Sequence, residues 1–173
     1  MKTEVTMNLT DKTTDSINQM IANHEDRAGG TALPLYKELL EERARRSQAS
    51  QRLNLDRTLE HLKEAAVDQK CTSYGNVAKA SGVAWTQARR QMDGANGHLN
   101  RVADLCHARG LPFLTALCVN QDDILTGELK GEALGGFVAC ARRLGFLVTD
   151  EEAFHREQRD ACWRWGLNAA QSG

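Results

Sequence analysis

Proline is nearly absent: Pro34 and Pro112 are the only two in 173 residues. Proline removes a backbone donor and clashes with the preceding turn, so its scarcity leaves long helices uninterrupted. No apolar run approaches the roughly 20 residues of a membrane-spanning helix, and no membrane partner is expected. The opening stretch from Met1 to Met7 lacks the apolar region of a secretory signal. Five scattered cysteines, an odd number, do not make a secreted disulfide framework. A reducing cytoplasm is the expected compartment. Also missing are C-x-x-C and H-x-x-x-H spacings, a G-x-S-x-G elbow and a Walker loop. No cofactor, no metal and no enzymatic activity are therefore expected. Excess charge is lacking too, with 22 basic against 23 acidic side chains and a net charge of −1. Bulk attraction to nucleic acid normally needs a basic excess, so any such contact has to come from a local patch.

What the chain does have is ordinary globular composition, 41% hydrophobic and 26% charged residues. Apolar spacing points to a mainly α protein. Residues 1–51 read as a helical N-terminal segment and linker, 52–166 as a winged-helix-like domain, and 167–173 as a tail. In the first segment Ile17, Met20 and Ile21 form a weak helical face that Gly29-Gly30 ends. A second helix has Pro34 in its first turn and Leu35, Leu39 and Leu40 as its stripe. Arg43, Arg45 and Arg46 lie toward its C-terminal end, where the helix dipole favours cations. Ser47 to Gln51 reads as a linker.

From Asn54, a good N-cap, the pattern tightens. Leu55, Leu59, Leu62 and Ala66 recur on one helical face. A helix from about His98 to Ala108 buries Leu99, Val102, Ala103 and Cys106. The apolar run Leu111 to Val119 reads as a buried strand, with Ile124 to Leu129 returning beside it as a small β-hairpin, the wing. Ala133 to Leu144 is helical. Thr149, with Glu152 three residues on, caps a last helix running to about Trp165.

Between these elements lies the most informative stretch, Thr72 to Val83. Thr72 or Ser73 caps a short helix, and Tyr74, Val77 and Ala78 share its inner face. Gly82 supplies the left-handed backbone of a tight turn. A second helix, Trp85 to Met92, carries Gln87, Arg89 and Arg90 and no acid. A short, polar, positive helix after such a turn matches a recognition helix for the DNA major groove. Lys70, Lys79, Arg89 and Arg90 give this region a local excess of positive charge, which Arg101 and Arg109 extend. Tyr74, Lys79, Gln87, Arg89 and Arg90 are the expected nucleic-acid-binding residues and double-stranded DNA the expected partner. An ordinary helical hairpin with a solvated charged face carries the same pattern.

The span from Tyr74 to Gly131 resembles the DNA-binding domain of O6-alkylguanine-DNA alkyltransferases and alkyltransferase-like proteins. The matching pieces are Ser73-Tyr74-Gly75, Val77-Ala78, Gly82, Ala88-Arg89, Leu111-Pro112 through Cys118, and Gly127 to Gly131. By that resemblance Tyr74 sits near the phosphate backbone and Arg89 replaces a flipped base in the stack. The P-C-H-R motif is missing, because Cys118 is followed by Val119-Asn120. No neighbouring base activates its thiol, so alkyl transfer is not expected. Residues 54 to 166 also resemble small uncharacterised bacterial and phage-associated proteins, through Tyr74-Gly75 with Ala78, the run Leu111 to Asn120, and Asp150, Glu152 and Phe154 through Trp163 or Trp165. That likeness implies a phage or mobile-element setting.

The alternative is a protein-interaction module, an inhibitor or adaptor of another enzyme. Its contact surface would be Leu35, Leu39, Arg43 and Arg46 on the N-terminal helix, meeting a protein partner or a second copy in a homodimer.

Overall fold

The computed structural model describes residues 7–172. The stretch Met1 to Thr6, with most of the reading that excluded a secretory signal, lies outside it, as does Gly173. At the centre is α3 (Leu55–Val67), whose start Asn54 caps by accepting from the Arg57 amide at 2.9 Å. Leu55, Leu59, Leu62 and Ala66 are buried as their spacing requires. α6 (His98–Ala108) and α8 (Glu151–Ser172) pack on it, and α7 (Gly131–Arg143) packs on α8. α4 (Tyr74–Ala80) and α5 (Trp85–Met92) connect α3 to α6. The protein is mainly α, and among the described residues no helix is long and apolar enough to cross a membrane.

The N-terminal helices belong to the same core. α1 (Thr14–Glu25) packs on α2 (Pro34–Gln48), which packs on α6. Ile17, Ile21, Tyr36, Leu39 and Leu40 are buried in one cluster with the leucines of α3. The expected linker is pinned instead of loose. α2 continues to Gln48, whose side chain donates to the Leu53 carbonyl at 2.9 Å and accepts from the Leu55 amide at 2.6 Å. Leu53 is itself fully buried.

The expected wing is not formed. Leu114–Leu117 is a 3-10 turn, and only Cys118–Val119 is extended. This strand, β2, pairs in parallel with β1 (Thr72–Ser73), Thr72 opposite Cys118 and Ser73 opposite Val119. Gln121–Asp123 is a second 3-10 turn, and Ile124 to Leu129 forms no strand. The run from Phe113 to Val119 is apolar because α3, α6 and α8 surround it. Asp150, one residue beyond the expected Thr149, caps α8 by accepting from the Ala153 amide at 3.0 Å. The helix then passes Trp165 and takes in the expected tail as far as Ser172.

Candidate nucleic-acid interface

Ser73 ends β1 and caps α4, accepting from the Asn76 amide at 3.2 Å. Val77 and Ala78 anchor the short helix by full burial. Gly82, at φ 71°, turns the chain out. Its amide donates to the Lys79 carbonyl at 2.9 Å and the Val83 amide to the Ala78 carbonyl at 3.1 Å. Those two bonds are a Schellman cap, which needs a left-handed residue where Gly82 stands. Four residues, Ser81 to Ala84, therefore join α4 to α5, the turn length of a helix-turn-helix.

α5 is held by Ala88 and Met92, both fully buried. Lys79, Gln87, Arg89 and Arg90 are exposed as expected. The start of α3 clamps the hairpin. The Asn54 amide donates to the Ser81 hydroxyl at 2.9 Å, and the Arg52 amide to the Gln91 side chain at 3.2 Å. The Arg52 guanidinium donates to the Gln87 side-chain oxygen at 2.7 Å. Gln87 is thus engaged through its oxygen, and Arg52 joins the interface as a cation that sequence reading missed. Its only signal was its place just ahead of the Asn54 cap.

Pairing distinguishes these residues from most of the other arginines, although Arg27, Arg57 and Arg164 also lack a carboxylate partner among the described residues. Arg43, Arg101, Arg109, Arg143 and Arg159 each pair with a carboxylate, whereas among the described residues Arg52, Lys79, Arg89 and Arg90 pair with none. Two expected extensions of the patch are therefore corrected. Arg101 is buried, with its guanidinium 3.4 Å from Asp104 and donating to the Ala95 carbonyl at 2.9 Å. Arg109 is tied to Glu41 at 2.8 Å.

Tyr74 is half-buried and lines a cleft of about 800 Å³ between α5 and α7. Burial, with the nearby Cys118 and Asp93, raises its hydroxyl above the usual tyrosine range. Cys118 is buried in β2, and desolvation raises its thiol well above the ordinary value.

The expected partner surface on α2 is spent within the chain. Leu39 is fully buried and Leu35 half-buried against the core. Arg43 binds Asp104 at 2.7 Å. Arg46 binds Glu42 at 2.7 Å and donates to the carbonyls of Lys12 at 2.8 Å and Leu9 at 3.1 Å. In this fold those four residues support α1 and α6 and leave no open apolar stripe.

Among the described residues no group of three or more histidine, cysteine, aspartate or glutamate side chains is placed to hold a metal ion. No protein family, curated protein or solved structure matches the chain.

Proposed function

We propose that the protein binds double-stranded DNA through the α4–α5 hairpin, with α5 in the major groove. The observation that carries this reading is the set of exposed, unpaired cations Lys79, Arg89 and Arg90 on one clamped hairpin of a near-neutral chain, with the unpaired Arg52 bonded to Gln87 from just ahead of α3. Most of the remaining arginines are paired with carboxylates, and the unpaired Arg27, Arg57 and Arg164 stand outside the hairpin. The rigid turn supports the same reading, since a groove-reading helix has to be presented at a fixed angle. Arg89 and Arg90 are the residues assigned to contact, and Lys79 and Arg52 flank them. Gln87 donates to a base or phosphate through its amide NH2, its oxygen being held by Arg52.

Fluorescence anisotropy with a labelled duplex tests the proposal. The wild type is expected to bind at micromolar concentration or tighter in about 50 mM salt, where phosphate contacts are strong. Replacing both Arg89 and Arg90 by alanine should weaken binding and lower the salt slope by about 2, close to one for each phosphate no longer neutralised. Absence of wild-type binding at that salt overturns the proposal.

A second reading, a protein-interaction module, rests on Leu125 and Leu147, which are 100% and 89% exposed. It predicts that Leu125→Ser or Leu147→Ser abolishes capture of a protein partner while leaving DNA titrations unchanged.

A further inference from the structure

We infer that the cleft between α5 and α7 is a binding site for a small planar aromatic molecule without net charge. At about 800 Å³ it lies within the roughly 300–1,000 Å³ usual for small-molecule sites. Its walls are aromatic: Tyr74 and Trp85 stand on the hairpin side, Phe113 and Phe137 opposite. Phe113 and Phe137 meet edge-to-face at 4.7 Å and are themselves buried, so the rings open to a flat guest are those of Tyr74 and Trp85.

The polar groups in the cleft suit a neutral guest. Tyr74 and Thr115 line it, and among the described residues neither hydroxyl has a hydrogen-bond partner. Neither oxygen is a sealed, unsatisfied group, so each can exchange water for a ligand that brings an acceptor such as a carbonyl. The charged lining is of both signs. Asp93, Glu132 and Lys130 all line the cleft beside the uncapped first turn of α7, and Lys130 is already 3.4 Å from Asp123. An anion would meet the two carboxylates; a cation would meet the lysine and the positive end of the helix.

Gly136 is the position at which a side chain would enter the space. It sits inside α7, where glycine weakens a helix, and it lines the cleft. A Cβ placed there would meet nothing within 4 Å, so packing does not demand glycine. Its neighbour Gly135 is equally unobstructed but lies outside the cleft. The two positions form a matched pair: both accept a side chain, and only one fills the cavity.

The test uses the full chain and the uncharged naphthalene dye prodan, whose carbonyl is an acceptor, beside the anionic dye anilinonaphthalene sulfonate. Prodan is expected to bind one-to-one with blue-shifted emission and to quench tryptophan fluorescence, most of that quenching disappearing in Trp85→Phe. Gly136→Leu should weaken prodan binding by about tenfold or more while Gly135→Leu leaves it unchanged, both variants melting at or above the wild-type temperature. The anionic dye should bind at least about tenfold more weakly than prodan. The inference is overturned if the wild type does not bind prodan, if the two leucine variants bind it alike, or if quenching persists in Trp85→Phe. Equal affinity for the two dyes overturns the uncharged class of ligand. None of these readouts involves DNA, so they stand or fall separately from the proposed DNA binding.

Discussion

Asp104 is fully buried and gathers three arginines: Arg143 at 2.6 Å, Arg43 at 2.7 Å and Arg101 at 3.4 Å. Burial pulls Arg101 down to about 10 despite the attraction of Asp104. Removing that carboxylate strands the buried Arg101 and leaves Arg143 only Glu25, so Asp104→Ala should cost about 3–5 kcal/mol in urea unfolding. His98 makes a second, pH-dependent contribution. It is fully buried with Nε2 2.7 Å from the Thr58 hydroxyl, and burial lowers its pKa to about 4. Below an unfolded value of about 6.5, the unfolded chain takes up the proton first. Stability should therefore be full above pH 6.5 and fall as pH drops toward 4. The depressed His61 and His155 act in the same direction. Urea midpoints against pH check this, and His98→Asn should flatten the slope whatever it does to the midpoint. Burial of Cys118 gives a plainer expectation: incubation with alkylguanine-containing DNA should leave no adduct in an intact-mass spectrum.

Elements whose signals are local are legible in the sequence. The Asn54 cap, the Ser73 cap, the Gly82 turn and the helix Trp85–Met92 all stand where residue chemistry put them. The segment Leu111 to Val119 was not legible. An apolar run tells that a segment is surrounded and says nothing of its backbone, and this one is surrounded as a 3-10 turn. A parallel partner 46 positions upstream leaves no trace in the spacing. Close packing is equally hidden. Gly166 brings α8 onto α3 so tightly that a Cβ would collide with the Ala66 carbonyl. Gly166→Ala should destabilise the protein by about 1–3 kcal/mol, the range of overpacking. Gly135→Ala, in the open on α7, should stabilise by up to about 1 kcal/mol. Thermal melts of the two variants read the opposite signs.

Across the whole molecule, the candidate interface was more visible than the way the N-terminal helices join the core. Composition marked Ser47 to Gln51 as a linker, but one side chain, Gln48, brackets the turn and no sequence pattern announces that. Tyr36 lies between the rings of His24 and His107 and donates to Glu25 at 2.9 Å, while Arg143 of α7 reaches that same glutamate. A 52–173 fragment would be without these bonds and would uncover α6. It should melt without a cooperative transition where the full chain melts with one; a fragment that melts as cooperatively as the full chain would make α1 and α2 an appendage.

The parallel bridge between Thr72–Ser73 and Cys118–Val119 also sets an order of events during folding. Parallel strands cannot zip from a tight turn; this pair forms only after the chain closes a loop of about 45 residues. Helical turns in α4 and α5 need no such closure and form on the microsecond scale. Helices of seven and eight residues are marginal until packed, so the hairpin's fixed angle to α3 arrives with the slowest long-range pairing. In a refolding experiment, far-ultraviolet ellipticity should return ahead of any activity that depends on the exposed face of α5.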